Sequence, residues 1–400
     1  GSRGLGDVYK RQVLGFFKYE GFVLDTLNGI LPVHISYHAL PLPIGISFYT
    51  FQILSYIIDI YRGNVKVQTN LPNFALYVTM FPQLIAGPIV QYADVDEQLA
   101  SREVSRTKFG EGSMYFIRGL AKKVLLANTS GMIFTEVSGL AKGNIAVVTA
   151  WLGAFAYMFQ IYFDFSGYSD MAIGIALLLG FRFNVNFDSP YQSATITEFW
   201  RRWHISLSSW LKDYLYISLG GNRKGKIRTY INLLITMLLG GLWHGASVSF
   251  ILWGVLHGVA LAVHKFVMNH FSSFKPLGSE MKPWRRVIGV LVTFHLVCFG
   301  WILFRADSMQ TVGEMLTQIF TNFHPEVFTQ FVMGYKGVFV LMVVGYILHF
   351  LPKSAENSLQ AVVTRSPLLV QAVMLAIAIF VVVQFKSCLL YTSPSPRDPK

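Results

Sequence analysis

Ile231-Asn-Leu-Leu-Ile-Thr-Met-Leu-Leu-Gly-Gly-Leu-Trp-His-Gly-Ala-Ser-Val-Ser-Phe-Ile-Leu-Trp-Gly-Val-Leu-His-Gly-Val-Ala-Leu-Ala-Val-His264 is the stretch whose reading decides the fold. Two basic residues, Arg228 and Lys265, flank it. Its 34 residues make about 51 Å of helix at 1.5 Å per residue. Crossing a hydrocarbon core of about 30 Å and returning takes roughly 60 Å. The stretch therefore reads as two apolar helices whose turn lies inside a membrane or at its far boundary. His244 sits at that turn, in Gly240-Gly-Leu-Trp-His-Gly-Ala-Ser247.

The rest of the chain fits this setting. It has 400 residues, 53% hydrophobic and only 14% charged, with a mean hydropathy of +0.46. A water-soluble domain carries about a quarter charged residues. Candidate spans fall near 13–31, 43–60, 72–92, 112–138, 145–180, 231–246, 247–268, 287–304, 334–352 and 367–386. Pro43, Pro82 and Pro88 mark the second and third as short or broken, which membrane depth tolerates only where protein or a cavity surrounds the backbone. The 145–180 stretch is too long for one untilted crossing and reads as one or two elements. The expected fold is all-α: a polytopic transmembrane protein with an interfacial amphipathic helix and broken or re-entrant segments. A net charge of +12 could suggest nucleic acid, but the basic residues lie in loops between apolar segments. Positive cytoplasmic loops explain them more simply, so no nucleic-acid partner is expected.

Both ends are set apart from the fold. Ser2–Gln12 and Cys388–Asp398 can be encoded by opposite strands of one short DNA, which reads as translated sequencing adaptor. The expected division is non-native tails at 1–12 and 387–400 around a single membrane-embedded domain at 13–386, lacking its first helices. Cys298 is then the one native cysteine, so no disulfide is expected within the chain.

Asn184–Tyr230 is the most polar native stretch, and Thr195–Leu215 within it has helical periodicity. Trp200, Trp203, Leu207, Trp210, Leu211 and Tyr214 fall on one side; Arg201, Arg202, Ser208, Ser209, Lys212 and Asp213 fall on the other. Thr195 and Glu198 form a possible capping box. A basic face opposite a tryptophan-rich face describes a helix lying in the membrane interface. Arg223, Lys224, Lys226 and Arg228 follow and mark the region as cytoplasmic.

Two histidines could carry chemistry. The glycines around His244 permit close backbone approach, and an intramembrane imidazole can stay neutral and take a proton. The competing reading is a hydrogen-bonded packing residue. His204 lies on the apolar side of the interfacial helix, and a place in its tryptophan stripe competes with any catalytic role. His34, His38, His257, His295 and His349 read as core or interface residues. No metal-ligand spacing is present, so no metal is expected. Asp164 and Asp170, in otherwise apolar sequence, read as helix ties in preference to the lining of a polar tunnel. Arg201, Arg202, Lys212, Arg223, Lys224 and Lys226 suit either donor phosphates or anionic lipid.

The runs Phe199-Trp-Arg-Arg-Trp-His-Ile-Ser-Leu-Ser-Ser-Trp-Leu-Lys-Asp-Tyr-Leu-Tyr216, Leu219-Gly-Gly-Asn-Arg223 and Gly241-Leu-Trp-His-Gly-Ala246 resemble the membrane-bound O-acyltransferase (MBOAT) family. Phe163-Asp-Phe-Ser-Gly-Tyr-Ser-Asp170, Pro43-Ile-Gly-Ile-Ser-Phe48 and Phe81-Pro-Gln-Leu-Ile-Ala-Gly-Pro88 resemble its alginate O-acetyltransferase branch. The resemblance covers 13–386. It implies an acyl thioester donor, acetyl-CoA or an acyl carrier, arriving from the cytoplasm as substrate, with no bound cofactor. It implies His244 as general base and His204 as a residue orienting donor or acceptor. Arg201, Arg202, Trp203, Asp213, Tyr214, Asn222 and Trp243 become candidates for donor or substrate binding. The implied setting is the multi-pass inner membrane, with lipid and a periplasmic acetyltransferase as partners and an exported polysaccharide as acceptor. D-alanyl transfer to teichoic acid from an acyl carrier protein is the near alternative. A transporter with a His/Asp proton relay is the distant one, disfavoured by the lack of internal repeats.

Overall fold

The computed structural model describes residues 18–31, 35–38, 43, 45–84, 87–140, 147–271, 281–306, 308–321 and 326–392. Among them the regular structure is helical and no strand occurs. His34 and the tail residues 1–12 and 393–400 lie outside the described residues. By contact the chain forms two compact units, Gly1–Arg102 with Phe183–Met309, and Glu103–Arg182 with Gln310–Lys400.

The first unit begins with α1 (residues 18–30) and α2 (Ile46–Arg62). Gly45 precedes α2 at φ +77°, a left-handed turn that follows Pro43 and that side chains resist. Thr50 to Tyr56 are all buried, which makes α2 a core helix. The expected 72–92 span is broken, as its prolines imply, into α3 (Leu71–Thr79) and α4 (Phe81–Leu84), with α5 (Tyr92–Ala100) beyond.

In the second unit, α6 (Arg106–Ala121) runs through a π-helical turn, Lys122–Ala127, into α7 (Asn128–Leu140). α8 (Val147–Leu178) follows as one unbroken 32-residue helix, so the 145–180 stretch is a single element and does not divide. Glycines seven residues apart hold α6 against α8: a Cβ on Gly112 would lie 2.7 Å from the Gly174 carbonyl oxygen, and one on Gly167 2.7 Å from that of Gly119. Asp170 accepts from Arg118 at 3.0 and 3.1 Å and from Lys122 at 2.8 Å, and Asp164 pairs with Lys123. Both carboxylates tie helices together. α14 (Met309–Thr321), α15 (Glu326–Gly334), α16 (Lys336–Phe350), α17 (Lys353–Arg365) and α18 (Leu368–Thr392) complete this unit.

Back in the first unit, the stretch expected as one amphipathic helix is broken. α9 (Ile196–Arg202) and α10 (Ile205–Trp210) flank a kink at Trp203–His204, and a π-helical turn, Leu211–Tyr216, follows. The two sides separate as read: the six apolar residues are buried, whereas Arg201 and Lys212 are exposed. The tryptophan side does not face lipid, however. Trp210 stacks on Phe51 of α2 at 3.9 Å and donates to its carbonyl at 3.0 Å. Protein covers this face, and the segment is a wall of the core.

The deciding hairpin is α11 (Lys226–His244) and α12 (Val248–His270), followed by α13 (Pro283–Arg305). Both hairpin helices run past the apolar stretch. They have 19 and 23 residues, together about 63 Å of helix. α12 and α13 are each long and apolar enough to cross a membrane. Phe328–Gly334 with Lys336–Phe350 is a third candidate, bent by 89°.

Candidate functional site

α11 ends where its sequence turns to glycine. Gly245 is extended and its N–H bonds weakly to the Gly241 carbonyl at 3.4 Å. Ser247 then caps α12, accepting from the Phe250 N–H at 3.4 Å. The two helices meet closely because α12 presents Gly254 and Gly258 to α11: a Cβ on Gly254 would sit 2.5 Å from the Met237 carbonyl oxygen. Small residues at such a seam let backbones approach. The result is a three-residue turn with His244 as the last residue of α11.

Aromatic rings wall the His244 imidazole. Trp243, Trp253 and Phe304 lie edge-on at centroid distances of 4.9, 5.2 and 5.0 Å, and Phe250 lies at 6.3 Å. The residue stays half-buried, in contrast to the fully enclosed His204 and His257. A weakly solvated imidazole can exchange a proton with a bound hydroxyl or thiol.

His204 occupies the kink with φ +43° and ψ +56°. A non-glycine residue in this region costs about 1–3 kcal/mol and persists only where its surroundings over-determine it. Asn186 does so. Its carbonyl accepts from the Ile205 N–H at 2.9 Å, and its Oδ1 accepts from the Ser206 N–H at 3.1 Å and the Ser206 hydroxyl at 2.9 Å. Asn186 thus satisfies the free N–H groups that open α10, a remote form of capping. His204 Nδ1 lies 3.2 Å from the same Oδ1. An oxygen that accepts a backbone N–H faces Nδ1, so Nδ1 carries the proton and Nε2 the lone pair.

The binding candidates divide. Trp243 and Tyr214 join one buried cluster with Phe51, Leu54, Ile89, Leu207, Trp210 and Leu211. Trp203 is buried against Phe199, Phe187 and Trp301. Arg202 is tied to Glu198 at 3.0 Å and to the Asp188 carbonyl at 3.2 Å. Asp213 pairs with Lys212 at 3.3 Å, and Asn222 accepts from the Tyr216 hydroxyl at 2.5 Å, both at the surface. Arg201 is exposed. The half of the capping box on Thr195 forms, with its oxygen accepting from the Glu198 N–H at 3.1 Å. Glu198 itself reaches the Ala194 N–H instead, at 2.9 Å.

Several residues escaped the sequence reading. Asp59, buried, accepts from the Tyr214 hydroxyl at 2.5 Å and from Asn64 at 3.0 Å. Lys18 bonds the Trp243 carbonyl and Tyr19 the Leu242 carbonyl. Asn186 lies 18 residues before the histidine it holds. His257 is a core residue, as read, set between Trp200 at 5.2 Å and Trp253 at 4.8 Å. His38 and His295 are exposed and His349 is buried in the second unit.

A helical membrane protein with a histidine walled by aromatic rings at a hairpin turn is the class this geometry defines. The chain belongs to the MBOAT, membrane-bound O-acyltransferase family, whose pattern matches residues 64–306. It is similar to the "Probable alginate O-acetylase AlgI" of Pseudomonas syringae pv. tomato, 49% identical over 324 residues, 79% of this chain and 60% of that protein. The "Peptidoglycan O-acetyltransferase" of Helicobacter pylori is 38% identical over 339 residues, 78% of this chain and 63% of that protein. The "Teichoic acid D-alanyltransferase" of Bacillus subtilis is 28% identical over 272 residues, 65% of this chain and 68% of that protein. The chain spans about three fifths of the length of the alginate O-acetylases it matches.

Proposed function

We propose that this protein is an O-acyltransferase of the multi-pass inner membrane. It moves an acetyl group from a cytoplasmic thioester, acetyl-CoA or an acyl carrier, toward an exported polysaccharide or a periplasmic acetyltransferase partner. The observation that carries the reading is the half-buried His244 at the end of α11, walled by aromatic rings. Family membership and the 49% identity to alginate O-acetylases support it.

In this reading His244 takes the proton of the acceptor hydroxyl as its oxygen attacks the thioester carbonyl carbon. The tetrahedral intermediate collapses, the carbon–sulfur bond breaks and the new ester forms. The proton held on His244 passes to the departing thiolate. His204, with its proton fixed on Nδ1 by Asn186, presents Nε2 as an acceptor that orients one reactant. Trp243 forms part of the wall beside the base. Arg201, exposed, is the candidate for donor phosphate; Arg202, Trp203, Asp213, Tyr214 and Asn222 shape the surrounding segment through their protein contacts. Alginate and peptidoglycan, named for the relatives above, define the class of acceptor. D-alanyl transfer is the more distant reading, since that relative is 28% identical.

The test is His244→Ala in cells that depend on the protein for surface acetylation. Acetate released by mild base from the surface polysaccharide should fall at least about 100-fold, the usual contribution of a general base. The variant should still insert in the membrane. Substantial acetylation by it would overturn the mechanism.

A further inference from the structure

The C-terminal turn of α11 carries the proposed base, and the last carbonyls of any α-helix lack partners within the helix. Here two of them are met by the start of α1. Lys18 Nζ donates to the Trp243 carbonyl, and the Tyr19 hydroxyl donates to the Leu242 carbonyl at 2.8 Å. The same ammonium donates to the Ser47 hydroxyl of α2 at 3.0 Å and lies 5.4 Å from the centre of the Trp243 ring. Lys18 is half-buried. One side chain therefore joins α1, α2 and the residue just before His244. A cation at a helix C-terminus also meets the negative end of the helix dipole.

We propose that Lys18 is the positioning residue for His244, with Tyr19 as its auxiliary. It holds the final carbonyls of α11 and so fixes the backbone from which the imidazole projects. The glycines on either side, Gly241 and Gly245, give this turn little stiffness of its own. Displacing a catalytic group by about 1 Å can cost about 100-fold in rate. The inference rests on the general-base role of His244, yet it concerns a contact 225 residues away in sequence.

Membranes containing the protein are assayed for loss of the acetyl-CoA thioester, and the same preparations for hydrogen exchange by mass spectrometry. Lys18→Met should lower kcat about 10-fold or more with KM for acetyl-CoA within about twofold. Lys18→Arg, which keeps a cation and donors, should recover most of that loss, and Tyr19→Phe should cost less than Lys18→Met. Exchange in the peptide covering 242–248 should quicken in Lys18→Met while α12 and α13 stay protected. Where Lys18→Met does not accumulate, Lys18→Gln carries the same measurements. An unchanged kcat, a loss that Arg does not recover, or unaltered exchange at 242–248 would each overturn the proposal. A parent protein that consumes no thioester would sink the acyltransferase reading, and the exchange result would still decide the role of Lys18.

Discussion

His204 concentrates the physical conflict at this site in one residue. Its backbone is left-handed, which a glycine would adopt without strain, and its side chain is enclosed. Replacement by glycine separates the two explanations for a histidine here. His204→Gly relieves the backbone strain and removes the imidazole. We expect its thermal stability to change little, because strain relief offsets lost packing, while acetyl transfer falls sharply with some residual rate. Wild-type rates in that variant would return His204 to a packing role. His204→Asn tolerates the same backbone and can still meet Asn186, so it should rank between the two. The Asp59–Tyr214 pair makes a second residue-scale test. Both groups are buried, and Tyr214→Phe leaves the Asp59 carboxylate without its 2.5 Å donor. A stranded buried acceptor costs about 1–3 kcal/mol, read as a lower melting temperature in detergent; an unchanged melting temperature would remove the pair from the stabilising contacts.

At the scale of elements, the α6–α8 pair depends on backbone contact at its glycines. A Cβ on Gly174 would come within 2.6 Å of the Gly112 carbonyl oxygen and 2.7 Å of the Phe116 nitrogen, both backbone atoms that cannot swing aside. Gly174→Ala should therefore destabilise by about 1–3 kcal/mol through overpacking and reduce accumulation in the membrane. Gly110→Ala, on the partner helix α6 with open space around it, is the control and should be neutral or mildly stabilising. Equal accumulation of the two variants would refute close packing at this seam. What the sequence made legible here follows the range of the forces. Apolar run lengths located α11, α12 and α13, and prolines marked the break in 72–92. Local periodicity also sorted the 195–215 residues into two faces correctly. The break at His204 was illegible because Asn186, distant in sequence, decides it. The partner of the tryptophan face was equally hidden, since amphipathicity says that a face is covered but not by what. Lys18 gave no signal at all, being one cation at the edge of an apolar run.

The first unit as a whole has a polarity that bears on how reactants meet. The starts of α11 and α13 gather basic residues at one end: Lys226, Arg228, Lys282, Arg285 and Arg286, all exposed. The His244 turn stands at the opposite end of the 19-residue α11, about 28 Å along the helix. Loops rich in Lys and Arg lie on the cytoplasmic side, so under the proposed function the basic end would face the donor. In that reading a thioester from the cytoplasm extends its acyl end toward His244, and the acceptor hydroxyl comes from the other face. Sealed vesicles of defined orientation test this. Acetyl-CoA does not cross a lipid bilayer because of its charged phosphates. Inside-out vesicles should consume it when acceptor is enclosed in the lumen, and right-side-out vesicles should do so only after permeabilisation. Consumption by sealed right-side-out vesicles and not by inside-out ones would invert the polarity read from the basic end.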